Sequence, residues 1–574
     1  MRRAILLLAL PLALSCRLER RAPVVGADLI LRGGAVYTMD PNRPWAEAVA
    51  IREGRIVFVG TVEGAQRFAG RGTRILDLPG KMVLPGFIDS HAHPLSGGLE
   101  LGECNLYDAK TPAEVEGIIR AYAQAHPQLE WVRGNGWQLP VFPRANPTRE
   151  QLDRAVPDRP AFFWAADGHS GWANSKALAL AGITRDTRDP ANGRIERDPR
   201  TGEPSGTLRE AAVGLVTAKM PAYTREARIG AVRRALAEAN RFGITAITDA
   251  DAGEDHVLAY SAVDEDGGLT ARVTLALHVD DQAPIAPQVA ALTALRQQHE
   301  RGGRLLLGQA KLYADGVLES RTAALLAPYL DRPGDAGPLV YPPEELAARV
   351  AALDLAGFQI HIHAIGDRAI RVSLDALRHA AEANPPRERR PILAHIELFD
   401  PADLPRFRRE GVIASAQPLW AQADDYITDL TEPALGPARS RWLYPLGTLL
   451  ASGTIVAGGS DWSVSSLNPL EGIQVALTRR APEAPAGPAW LPQEQARLPE
   501  MLAAYTIGSA YAARLERETG SLEVGKLADV IVLDRNLFEI APTEIHQAKV
   551  LLTLLGGRTV YRDSTALRAE ALVQ

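Results

Sequence analysis

The sequence predicts an α/β fold: a (β/α)8 barrel of the TIM type, with a small β-sandwich built from both chain ends and a long insertion after the first barrel strand. Three observations predict it. Through the middle of the 574-residue chain, about eight apolar strand segments alternate with Ala-, Arg- and Glu-rich helical stretches, the repeat that such a barrel needs. Short β-branched segments cut by Gly and Asp turns occur near both ends. One interval, residues 95–225, is far longer than an ordinary connection.

Residues 1–16, "MRRAILLLALPLALSC", place Arg2 and Arg3 before an apolar run from Ala4 to Leu14. That run is too short to span a bilayer comfortably and has the form of a signal peptide. Its end, "LALSC", resembles a bacterial lipobox, with Ala13 where that pattern prefers leucine. The expectation is an exported periplasmic or cell-envelope lipoprotein, attached to the membrane through a lipidated Cys16. A plain cleaved signal or an N-terminal anchor is the alternative.

Residues 27–83 and 521–563 share a style of short alternating segments and are expected to pair as one composite β-sandwich. Residues 84–520 form the barrel. Its candidate strands are "GFIDSHAH", "GITAITDA", "RVTLALHV", "RLLLGQAKLYA", "FQIHIHAIGD", "PILAHIE", "GVIASAQP" and "TIVAGGSDW". Intervening stretches such as "TREARIGAVRRALAEANRFG" carry helical periodicity and end in glycine, as a helix before a strand does. The interval 95–225 is read as an insertion over the barrel mouth, forming a loop-built lid.

With 46% hydrophobic and 23% charged residues the composition is that of a globular protein. A net charge of -6 and the absence of a Lys/Arg stripe with interleaved aromatics exclude nucleic acid as the expected partner. A small-molecule substrate is expected instead, and a homo-oligomer stays open. There are two cysteines. If Cys16 carries lipid, Cys104 has no intramolecular partner, so neither a disulfide framework nor a cysteine zinc site is available. Any metal falls to histidines, carboxylates or a lysine.

"FIDSHAHP" ends an apolar run in two of the chain's 12 histidines. On a strand, His91 and His93 project from one face. Lys311 lies in the fourth candidate strand, His361 and His363 end the fifth, His395 lies in the sixth, and Asp461 ends the eighth. In a barrel all of them reach the C-terminal mouth, where such enzymes build active sites. Singly each has an ordinary explanation: a buried histidine needs only a hydrogen-bond partner, and Asp461 in "GGSDW" can cap a turn. A lysine inside an apolar strand is harder to dismiss, since an uncompensated buried ammonium is expensive.

Imidazoles and carboxylates suit a divalent metal such as Zn2+. Lysine becomes a ligand only if burial lowers its pKa, so that the neutral amine takes up CO2 as a carbamate. Such a group on Lys311 would bridge two ions. The fallback is an unmodified Lys311 polarising substrate beside one ion.

In this order, "LPGFIDSHAHP", "GNGWQ", "DGHSGWANSKAL", "SGTLREAA", "KLYADGVLESRTAAL", "HAIGDRAI", "SAQP" and "GGSDWSVSSLNPLEGI" resemble stretches of the amidohydrolase superfamily, in its YtcJ-like (amidohydrolase 3) branch, which includes N-substituted formamide deformylase. The resemblance covers nearly everything after the signal segment. It implies a metal-dependent hydrolase barrel. Carried over by position, it implies His91 and His93 as the first metal pair, Lys311 as the bridging lysine, His363 and His395 as the fifth- and sixth-strand ligands, and Asp461 as ligand and catalytic acid/base. Spacing leaves His361 and His363 equivalent; the "HAIGD" match selects His363. The branch usually reads I-E-H at the sixth strand, where this chain has Leu393-Ala394-His395, so a supporting glutamate is missing.

The resemblance further implies hydrolysis of a C–N bond in an amide-like substrate, with Asp461 taking the proton of water and returning it to the departing nitrogen. Within the insertion, His169, Trp137 and Trp172 are expected to face substrate, His169 at the tetrahedral intermediate. Asp315, within "ADG", is expected to hold a turn or to support a site residue from behind. Two other functions compete: hydrolysis of lactones, other esters or phosphoesters by the same activated water, and a non-catalytic solute-binding lipoprotein on the same fold.

Overall fold

The computed structural model describes residues 26–300, 302–565, 567 and 571–572; the signal and lipobox segment lies outside the described residues. Eight strands form a parallel sheet in chain order: β1 (Phe87–Ala92), β2 (Ile244–Ala252), β3 (Arg272–His278), β4 (Leu305–Tyr313), β5 (Gln359–Ala364), β6 (Ile392–His395), β7 (Ile413–Ala416) and β8 (Val456–Gly458). These are the eight segments expected as strands. Past the strand ends, the first and last members meet through backbone bonds: Asp461 N donates to His91 O (2.7 Å) and His93 N to Trp462 O (2.6 Å). The result is a nearly closed barrel.

Every residue of β1, β5 and β6 is buried, as expected of parallel strands covered on both faces. Helices supply the outer cover. Arg225–Arg241, capped by the Thr224 side chain on Ala227 N, precedes β2. Asp367–Ala383 follows β5 and buries Ile370, Ser373, Leu374 and Leu377 on one stripe. Gly86, just before β1, is required by close approach: a Cβ there would lie 2.2 Å from Thr245 Oγ1.

The chain ends do pair. A second sheet runs in the order 558–562, 550–555, 530–533, 82–85, 29–37, 45–52 and 55–60. Its central strand Met82–Pro85 lies parallel to Leu29–Tyr37 and antiparallel to Val530–Leu533. Leu31, Val49 and Val83 from one end share a core with Val530, Val532 and Leu554 from the other. The sheet is tied to the barrel by a buried two-pronged ion pair, Arg272 Nε and Nη2 to Asp529 at 2.9 and 3.1 Å.

The insertion differs from the expected loop-built lid. It carries its own six-stranded sheet, in the order 193–197, 204–210, 170–173, 161–165, 132–137 and 104–105. Helix Pro112–Ala125 opens on a capping box of Thr111 and Glu114. The interval has enough apolar residues for a separate core, built from Val115, Ile119, Val132, Trp137, Phe163 and Trp172. A folded wall, not a flexible loop, stands over the barrel.

Candidate active site

At the C-terminal ends of the strands lies a cavity of about 630 Å³ whose lining includes His91, His93, Lys311, His363, His395 and Asp461. The structure therefore brings together all six residues expected around a metal. Two subsites can be distinguished. His91, His93 and Asp461 each offer a ligand atom, all within 4.8 Å of one another. His363 and His395 form a second imidazole pair, ring centres 4.6 Å apart, and His395 lies 4.7 Å from His91.

Asp461 Oδ1 lies 3.0 Å from His93 Nε2 and 3.4 Å from His91 Nε2, yet this buried oxygen has no well-formed hydrogen bond. An orphaned carboxylate oxygen between two imidazole nitrogens is costly unless a cation completes it. The donor set of nitrogens and oxygens fits a divalent ion. Backbone geometry is also unusual here: Asp461 has φ 54° and His395 φ 76°, left-handed values that side chains rarely adopt and that concentrate at functional sites.

Beneath His91 is a buried relay. His91 Nδ1 is 2.9 Å from His361 Nε2, and His361 Nδ1 is 3.1 Å from Gln309 Oε1, while Gln309 Nε2 donates to Ala512 O at 3.4 Å. Because the amide oxygen only accepts, His361 carries its proton on Nδ1 and accepts from His91 Nδ1–H. His91 Nε2 is left with its lone pair toward the cavity. Alternation along the strands explains the arrangement. Gln309 and Lys311 share one face of β4, His361 and His363 one face of β5, each pair occupying two successive layers of the barrel interior.

His395 Nδ1 is 3.0 Å from Gln417 Oε1, and its ring stacks on Trp420. Gln417, in the "SAQP" stretch, thus supports the histidine whose neighbour is Ala394. His363 Nε2 is 3.1 Å from Gly316 O, which fixes that nitrogen as the protonated one and leaves the Nδ1 lone pair available.

Burial holds His91, His361, His363 and His395 well below the ordinary histidine pKa, with Lys311 or a neighbouring histidine adding to the effect. Neutral imidazoles are the metal-binding form. Burial also pushes Lys311 down to about 8, against the pull of Asp251, Asp461 and Asp249. Asp461 moves the other way: burial opposes its charge, but His93 and Lys311 outweigh this and lower it.

The structure places His169 in the cavity, its ring 5.3 Å from that of His363. Its Nδ1 lies 2.8 Å from Glu210 Oε2; burial opposes protonation, yet Glu210 lifts the imidazole to about 9. Trp137 and Trp172 are corrections. Both are fully buried in the insertion core, and their indole N–H groups are used by Phe163 O and Thr148 O. An indole that has spent its donor on backbone inside a core has nothing to offer a substrate. Asp315 accepts from Ala324, Ile365 and Gly366 N at 2.8, 3.0 and 2.8 Å, which is a turn-holding role.

Sequence reasoning missed Glu210, Gln417, Gln309 and Asp89, and passed over His361. Asp89 accepts from His91 N and Ser460 N at 3.0 and 3.1 Å, holding β1 against the segment that bears Asp461. A signal existed for two of them: Gln309 and His361 lie two residues before chosen residues on the same strand face.

The sequence pattern of the amidohydrolase family matches residues 74–561. The chain belongs to the amidohydrolase family. Over 550 residues this amidohydrolase is 33% identical to the protein LONG AFTER FAR-RED 3 of Arabidopsis thaliana, across 93% of this chain and 92% of that one. It is 30% identical over 545 residues to the putative amidohydrolase YtcJ of Bacillus subtilis strain 168, across 93% and 99%. It is also 30% identical over 553 residues to the N-substituted formamide deformylase of Arthrobacter pascens, across 92% and 97%. Among solved structures, it is similar to a metal-dependent hydrolase of Pyrococcus furiosus, with a TM-score of 0.68 and 27% identity over 88% of this chain and 99% of that one. The family and branch expected from the motifs are those found.

Proposed function

We propose that this amidohydrolase is a metal-dependent hydrolase that cleaves a carbon–nitrogen bond in an amide-like, non-peptide small molecule. The observation that carries this reading is the orphaned Asp461 Oδ1 set between His91 and His93; kinship with a formamide deformylase supports the choice of bond. His91, His93 and Asp461 would hold a divalent ion, Zn2+ by donor type, and Lys311 as a carbamate with His363 and His395 would hold a second. Such an ion, when bound, makes water acidic and polarises a carbonyl.

The protein's own groups divide the remaining work. Asp461, ionised and buried, accepts a proton from the attacking water and returns it to the departing nitrogen. His169, kept protonated by Glu210 on its Nδ1 side, presents Nε2–H to the cavity and donates to the oxygen that gains charge. The His91–His361–Gln309 relay holds a single tautomer. The folded insertion walls the cavity and limits water.

The test is metal analysis combined with turnover of N-substituted formamides, N-acyl amines and cyclic amides beside lactones and esters. Amide turnover that is lost on chelation and restored by Zn2+ is expected. Full turnover by a protein containing no divalent ion sinks the reading, and turnover of lactones or esters alone moves it to another bond. The reading extends to export and lipidation at Cys16, supported by Arg2, Arg3 and the apolar run that follows; mass spectrometry of the N-terminal peptide from membranes tests that part.

A further inference from the structure

A second pocket, of about 350 Å³, opens off the catalytic cavity and shares His169, His363, His395 and Asp461 with it. Seven of its lining residues are Asp or Glu, and none is Lys or Arg. Three of the carboxylates reach it from the loops beyond the strand ends: Glu319 after β4, Glu397 after β6 and Asp424 after β7.

Their environments are incomplete. Glu397 is 4% exposed and keeps Oε2 out of water with no hydrogen-bond donor on it. Glu319 accepts from Thr431 Oγ1, at 3.3 Å, and Asp424 from Ile427 N, at 3.1 Å, with no cationic side chain lining the pocket beside them. Burial lifts Glu319 to about 7 and Asp424 to about 6, with other acids adding to it. A protein seldom leaves buried carboxylates together without a countercharge. A cation bound among them would supply one.

The rest of the wall fits an organic cation better than a bare ion. Trp420, Tyr426 and Tyr444 line the same pocket. Tyr426 uses its hydroxyl on Gln138 Oε1, at 2.9 Å, so its ring face is what remains to offer. Aromatic faces beside carboxylates recognise alkylammonium groups. The volume is at the lower end of small-molecule sites, enough for one substituent.

We propose that this pocket binds an alkylammonium substituent of the substrate, held between the Glu319, Glu397 and Asp424 carboxylates and the three aromatic rings. That the bound cation belongs to a substrate rests on the hydrolase reading above; the binding itself does not. A cationic group seated here places the rest of the molecule beside His169, His363, His395 and Asp461.

The test is calorimetric titration of the metal-loaded protein with choline and with its neutral isostere, 3,3-dimethylbutan-1-ol. A quaternary ammonium neither ligates a metal nor loses a proton, so the comparison isolates charge. Choline is expected to bind about ten-fold or more tightly than the alcohol. In the double variant Glu319→Gln, Asp424→Asn, the preference is expected to fall to about two-fold, with metal content unchanged as the control for folding. Equal affinities in the unmodified protein overturn the proposal, as does a preference that survives in a folded double variant. Choline binding without hydrolysis of any amide would sink the hydrolase reading and leave the pocket assignment standing. Amide hydrolysis without a cation preference would do the reverse.

Discussion

Asp461 is asked to do the most at the residue scale. One of its carboxylate oxygens lies 3.0 and 3.4 Å from two imidazole nitrogens, and it is the group placed to move the proton. Asp461→Asn keeps the shape and removes the basicity, so kcat is expected to fall about 10²–10⁴-fold while far-UV dichroism stays unchanged; turnover and metal content on the same sample check it. His361 acts one layer deeper. Replacing it by leucine removes the acceptor of His91 Nδ1–H and lets the ring choose either tautomer, so metal affinity should drop about 10–100-fold. Competition against a chromophoric chelator measures that loss. Because glutamine at 361 still supplies an acceptor, that variant is expected to bind metal more tightly than the leucine variant.

Elements explain what could be read from the sequence and what could not. The barrel strands were legible because each is an apolar run bounded by glycine or a helix, and the two-residue period turned "HAH" and "HIH" into inward-facing pairs. The same period reports His361, but only the barrel's layering shows that it supports His91 instead of facing substrate. Glu210 and Gln417 lie on segments whose placement depends on tertiary packing, so no spacing rule reaches them. Trp137 and Trp172 were misread for a related reason: an interval taken as loop hides a core. Trp172→Ala is therefore expected to destabilise the insertion by about 3–5 kcal/mol and to leave metal stoichiometry intact, read from thermal unfolding and metal analysis. Cys104 shares that core, and burial pushes its thiol up to about 12. A thiol reagent at pH 8 should label it only after unfolding.

At the scale of the whole molecule, the barrel and the sheet made from the chain ends are coupled through Arg272 and Asp529, with side chains only 10% and 0% exposed. Asp529→Ala strands a buried guanidinium, and a loss of about 3–5 kcal/mol is expected, seen as a lower denaturation midpoint. Replacing both partners by apolar residues of similar volume should cost less, because no charge is then left without its mate. The central strand of that sheet has a consequence in time. Met82–Pro85 is separated from β1 by Gly86 alone, whereas its neighbour Val530–Leu533 is made some 450 residues later. At roughly 5–20 residues per second, the ribosome delivers that neighbour about 20–90 s afterwards. Throughout that interval the nascent chain carries a bare apolar edge at the foot of β1, on the side of the barrel away from the catalytic mouth, where a chaperone could take hold.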